Sequence, residues 1–192
     1  ILHGLAVRLG WQRWRQSGVS HRAEAMVKFD DLKAAVDKDD AELAGKLVGV
    51  LRKNYADTAH AALGAMELAK LQFKAGKVPE AEAQLRFVAD SGTASLVRSV
   101  AALRLARLML ARGQAQHALD QLKSVPAETF VVERNQVRGD ALLALGKIED
   151  AHKAYNDALA AMDVASQARP ALEAKRDDLA AAALEDLANT LD

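Results

Sequence analysis

The chain has 192 residues, 51% of them hydrophobic, and its 26 basic and 26 acidic residues leave a formal net charge of zero. That length is enough to bury one sizeable core, and the lack of a basic excess argues against nucleic acid as the main partner. There is no cysteine, which excludes disulfides, thiolate metal sites and a cysteine nucleophile.

Three prolines and 4% aromatic residues stand against an abundance of Ala, Leu, Glu, Lys, Gln and Arg, the strongest helix formers. No run of alternating β-branched residues between turn signals reads as a strand. The fold class is therefore all-α. In chain order, a long N-terminal helix is expected to about Asp37, then helices near 40–54, 57–75, 79–90, 94–112, 114–124, 128–145, 148–162 and 169–190. Ile1 in place of a starting Met points to a piece of a longer product. Between Ile1 and Arg22 there are four arginines (Arg8, Arg13, Arg15, Arg22) and no acid. Trp11 and Trp14 stand among them, as at a membrane–water interface. The apolar run before Trp11 is shorter than the roughly 20 residues a bilayer needs. Residues 1–22 thus read as the exit from a membrane anchor or as a plain amphipathic helix, and 23–192 as the folded domain.

Three segments align without gaps: "AGKVPEAEAQL", "RGQAQHALDQL" and "LGKIEDAHKAY". Their glycines, Gly76, Gly113 and Gly146, are 37 and 33 residues apart. Five residues after each glycine stands Ala81, Ala118 or Ala151, and four further on Leu85, Leu122 or Tyr155. Seven before each glycine stands Ala69, Ala106 or Gly139. Ala115 lies outside the pattern. The pattern resembles the tetratricopeptide repeat, a helix–turn–helix unit of about 34 residues. Its clearest copies are 62–92, 99–126 and 132–162, and 23–54 is a degenerate copy or an N-terminal cap without the glycine. The glycines read as helix terminators, Gly139 and Ala151 as a close helix crossing, and Tyr155 as filler between units. Pro79 and Pro170 suit first helical turns. The expected architecture is a right-handed α-solenoid of antiparallel helix pairs, with the long N-terminal helix at one end and a capping helix with Leu172, Leu179, Ala183, Leu187 and Leu191 at the other.

Such solenoids bind through a concave face lined by the first helix of each pair. Here that face would carry Met66, Lys70 and Phe73, then Leu103, Arg104, Arg107 and Leu110, then Gln136, Asp140 and Leu143. A mixed apolar and cationic trough suits a peptide or a partner helix. No pair of the five histidines (His3, His21, His60, His117, His152) has metal-ligand spacing, and no nucleophile elbow occurs. No metal, cofactor or enzymatic activity is expected.

The Trp11–Trp14 exit, the long helix and the segments "AALGAMELAKLQFKAGKVPEAEAQL", "VAALRLARLMLARGQAQHALDQL" and "VRGDALLALGKIEDAHKAYNDAL" together resemble the YfgM-like family. That resemblance implies a single-pass inner-membrane protein of Gram-negative bacteria. Its repeat domain would face the periplasm, beside the Sec translocon and its associated chaperones. A soluble cytoplasmic repeat scaffold that binds a peptide or partner helix is the alternative.

Overall fold

A computed structural model describes the backbone of residues 2–179 and the side chains of residues 18–179. The described residues are helical with no strand, and they fall into two compact units that divide between Val97 and Arg98. The first unit holds α1 (Leu2–Asp37), α2 (Ala41–Asn54), α3 (Ala59–Lys74) and α4 (Val78–Ala89). In it α1 packs on α2 and α3, α2 on α3, and α3 on α4. The second unit takes most of α5 (Ser95–Ala111), followed by α6 (Ala115–Leu122), α7 (Val131–Ala144), α8 (Ile148–Ala161) and α9, described over 169–179. There α6 packs on α7, and α7 on α8.

Each repeat glycine lies just past a helix end in the left-handed region, with φ of 74° at Gly76, 73° at Gly113 and 71° at Gly146. The amide after it reaches back five residues: Lys77 N to Gln72 O, Gln114 N to Met109 O and Lys147 N to Leu142 O, at 2.8, 2.9 and 2.9 Å. The glycine amide bonds the carbonyl three residues earlier. This paired closure satisfies carbonyls that the helix end would leave open. Pro79 falls in the first turn of α4, where no amide partner is lost.

The α1–α2 connection is a further copy of the same turn. Asp39 has φ 53°, its amide bonds Val36 O at 3.0 Å, and Asp40 N bonds Ala35 O at 2.9 Å. Aspartate thus takes the glycine place, 37 residues before Gly76. Five residues on stands Ala44, fully buried, and four further Val48, also buried. The 23–54 segment is therefore a helix pair of the repeat type, with the left-handed residue supplied by Asp39. Seven residues before Asp39, where the other copies have Ala or Gly, is Leu32. Its bulk is taken up across the interface by Gly64 of α3, where a Cβ would lie 2.8 Å from Leu32 Cδ2 and 3.0 Å from Leu51 Cδ1.

The core of the second unit gathers Leu142 of α7, Ala151, Ala154, Tyr155, Ala158 and Leu159 of α8, and Leu172 and Leu179 of α9. Arg169 ties α9 to the end of α8: its Nη1 donates to Leu159 O at 3.0 Å and Met162 O at 3.3 Å, and its Nε contacts Glu173 at 2.9 Å. The remaining cap positions named from sequence, Ala183, Leu187 and Leu191, lie outside the described residues.

Candidate functional site

The small and apolar repeat positions are buried: Ala69, Ala81, Leu85, Ala106, Ala118, Leu122, Gly139, Ala151 and Tyr155. A Cβ at Gly139 would lie 2.6 Å from Tyr155 Cδ1 and closer still to Cε1, so the space it leaves is filled by the Tyr155 ring. Tyr155 therefore packs inside its own helix pair as well as against α9. Ala115, outside the repeat pattern, is buried too, so the pattern does not exhaust the close contacts.

On α3, Lys70 and Phe73 are solvent-facing, and Phe73 is 54% exposed. Met66 is buried at the same helix and presents little to a partner. On α5, Arg104 and Arg107 are exposed and Leu110 is half-buried, whereas Leu103 is only 4% exposed and belongs to the core. On α7, Leu143 is exposed and Gln136 and Asp140 are half-buried. Met66 and Leu103 occupy the same repeat position. Its inward direction follows from helix pairing, which a groove assignment from sequence alone does not resolve.

Asp140 is engaged within its own unit. Tyr155 Oη donates to Asp140 Oδ1 at 2.7 Å, and Lys175 Nζ donates to the same oxygen at 2.7 Å. The ammonium also lies 6.0 Å from the Tyr155 ring centroid. Burial pushes the Tyr155 hydroxyl pKa well above its ordinary value, and the Asp140 hydrogen bond and charge add to the rise. Asp140 thus joins α7, α8 and α9, and it is a poor candidate for a groove anion waiting for a ligand.

One position recurs that the sequence reading did not single out as a class. Three residues before each turn residue stands a large apolar side chain: Val36, Phe73, Leu110 and Leu143. None of the four is buried. The common offset from the glycine is the signal that could have found it.

Among the described residues no cluster of three or more His, Asp or Glu could hold a metal ion. His117 is exposed, and His152 Nδ1 faces Asn156 Nδ2 at 3.2 Å. Among the same residues no helix is long and apolar enough to cross a membrane. The backbone of Trp11 and Trp14 lies in α1, and their side chains are outside the described residues.

The family described as "Tetratricopeptide repeat-like domain" matches residues 1–181. Among curated relatives, an ancillary SecYEG translocon subunit of Aggregatibacter actinomycetemcomitans is 30% identical over 149 residues, covering 78% of this chain and 72% of that one. Its counterpart in Escherichia coli (strain K12) is 28% identical over 158 residues, covering 81% and 74%. That of Neisseria gonorrhoeae is 27% identical over 173 residues, covering 89% and 82%. Among solved structures, nearly identical TPR-like repeats from a Podosopora anserina kinesin light chain superpose with a TM-score of 0.66 at 19% identity, covering 86% of this chain and 89% of theirs. This last likeness concerns the fold alone.

Proposed function

The chain belongs to the tetratricopeptide repeat-like domain family together with the ancillary SecYEG translocon subunits, and on that premise we propose that it is a non-enzymatic adaptor for protein partners at the Sec translocon. The observation that carries the binding role is the recurrent uncovered apolar side chain before each turn, above all Phe73, 54% exposed. Exposing a large apolar side chain forgoes the gain of burying it, and the recurrence at one place in each pair distinguishes these side chains from singly scattered surface hydrophobics. Lys70 on α3, and Arg104 and Arg107 on α5, add exposed cations on the first helices of their pairs. Apolar anchors supply most of the affinity of such surfaces, and peripheral charges mainly steer encounter.

The finer reading places the repeat domain in the periplasm, held at the inner membrane by a segment that includes Trp11 and Trp14, with periplasmic chaperones among its partners. Supporting it are the translocon role named for the relatives and the acid-free, arginine- and tryptophan-bearing stretch before Ala23. The test is partner capture from membranes with folded variants. Phe73→Ala should weaken recovery of translocon subunits more than Lys70→Ala does. If recovery is unchanged by Phe73→Ala, that face of α3 does not bind the partner, and if it is unchanged by Arg104→Glu with Arg107→Glu, that face of α5 does not.

A further inference from the structure

We propose that a cleft between α2 and α4 docks an acidic amphipathic helix from a partner protein, at a surface separate from Lys70 and Phe73. The cleft is open to solvent, has a volume of about 390 Å³ and lies wholly within the first unit. Leu68 of α3 is its buried floor. At 3.6 residues per turn, positions 66, 70 and 73 lie on the far side of α3 from Leu68, so the two surfaces use opposite sides of one helix.

Three features point to the occupant. The first is charge. Arg52 and Lys53 line the cleft, no acidic residue does, and neither cation has a carboxylate partner among the described residues. The second is the fixed setting of Arg52. Its Nη1 donates to Gln84 Oε1 at 3.0 Å, and its guanidinium carbon sits 4.2 Å from the Phe87 ring centroid. A guanidinium held by a neutral amide and an aromatic face keeps its full charge and loses little freedom when a carboxylate arrives. The third is the wall formed by Gly45 and Gly49. Both interrupt the middle of α2, where glycine weakens a helix, yet a Cβ at either would touch nothing within 4 Å. Among the described residues nothing gives a packing reason for them. They leave α2 bare on its cleft side, so that another backbone can come close. The half-buried Phe87, two cations and a bare helix face together fit a helix that carries Glu or Asp beside a short apolar stripe.

The experiment selects a phage-displayed random-peptide library on the 192-residue chain, with each variant checked by circular dichroism. Enriched peptides should be acidic and helix-forming. Their affinity should fall about tenfold or more for Arg52→Glu with Lys53→Glu, and acid-to-lysine versions of the peptides should regain it on that variant. Gly49→Leu, whose side chain enters open space, should block binding while leaving the helix at least as stable. Phe73→Ala should leave the affinity within about twofold, which separates this surface from the one that carries Phe73. Failure to enrich any peptide, enrichment of basic or uncharged sequences, or unchanged binding by the Gly49→Leu and charge-reversed variants overturns the proposal.

Discussion

At the scale of single residues, Gly139 and Tyr155 form one device. The ring needs the space that a Cβ would occupy, and the hydroxyl it carries is bonded to Asp140. Gly139→Ala should therefore overpack a filled site and cost about 1–3 kcal/mol, although alanine is the better helix former. Denaturant unfolding measures it, and a variant as stable as the parent would contradict the contact. The same hydroxyl gives a pH dependence. The folded state raises the Tyr155 pKa above its ordinary 10.0, so the native fold favours the neutral phenol. That contribution is complete below pH 10 and is lost as the pH climbs from the unfolded pKa towards the folded one. Stability should fall above about pH 10, and Tyr155→Phe should flatten that fall while costing about 1 kcal/mol at neutral pH through the lost hydrogen bond. Thermal melts across the alkaline range separate the two effects.

At the scale of elements, the α1–α2 pair shows how a repeat survives the loss of its signature. Its turn keeps the left-handed residue but uses Asp39, and the exposed Asp39–Lys74 contact at 3.0 Å offsets little of that strain. Asp39→Gly should raise stability by up to about 1 kcal/mol, read as a higher melting temperature. An unchanged or lower value would mean that the aspartate side chain contributes more than the backbone relief. Leu32 and Gly64 make a complementary exchange of large for small between α1 and α3. Leu32→Ala alone should cost about 2–5 kcal/mol by leaving a cavity. Gly64→Ala alone should be destabilising by crowding Leu32, and it should cost less, or help, once Leu32 is alanine. A double-mutant cycle with no coupling between the two would rule out the exchange.

At the scale of the whole molecule, the acid-free N-terminal stretch with Trp11 and Trp14 bears on location. If that stretch completes an anchor, the full-length protein should sediment with membranes. Removing residues 1–15 should then release a domain that still melts cooperatively, because the helix pairs and their buried residues from Ala25 onward lie outside that stretch. Recovery of the full-length protein in the soluble fraction would defeat the anchoring.

The sequence alone was sufficient for the helices of the described residues and for three of the turns. Helix propensity and the left-handed demand at Gly76, Gly113 and Gly146 act over a few neighbouring residues, and those requirements are written locally. The same local rule failed at Asp39, because aspartate tolerates the left-handed region less conspicuously than glycine and Leu32 masked the small-residue position. What only the tertiary structure decided was which of the helical faces turn inward. Met66 and Leu103 went to the core while Phe73 stayed out, and Asp140 was taken by Tyr155 and Lys175, which lie 15 and 35 residues away. The cleft at Arg52 likewise depends on Gln84 and Phe87 from another helix. Those outcomes depend on partners distant in sequence, and periodicity along one helix carries no record of what the next helix brings against it.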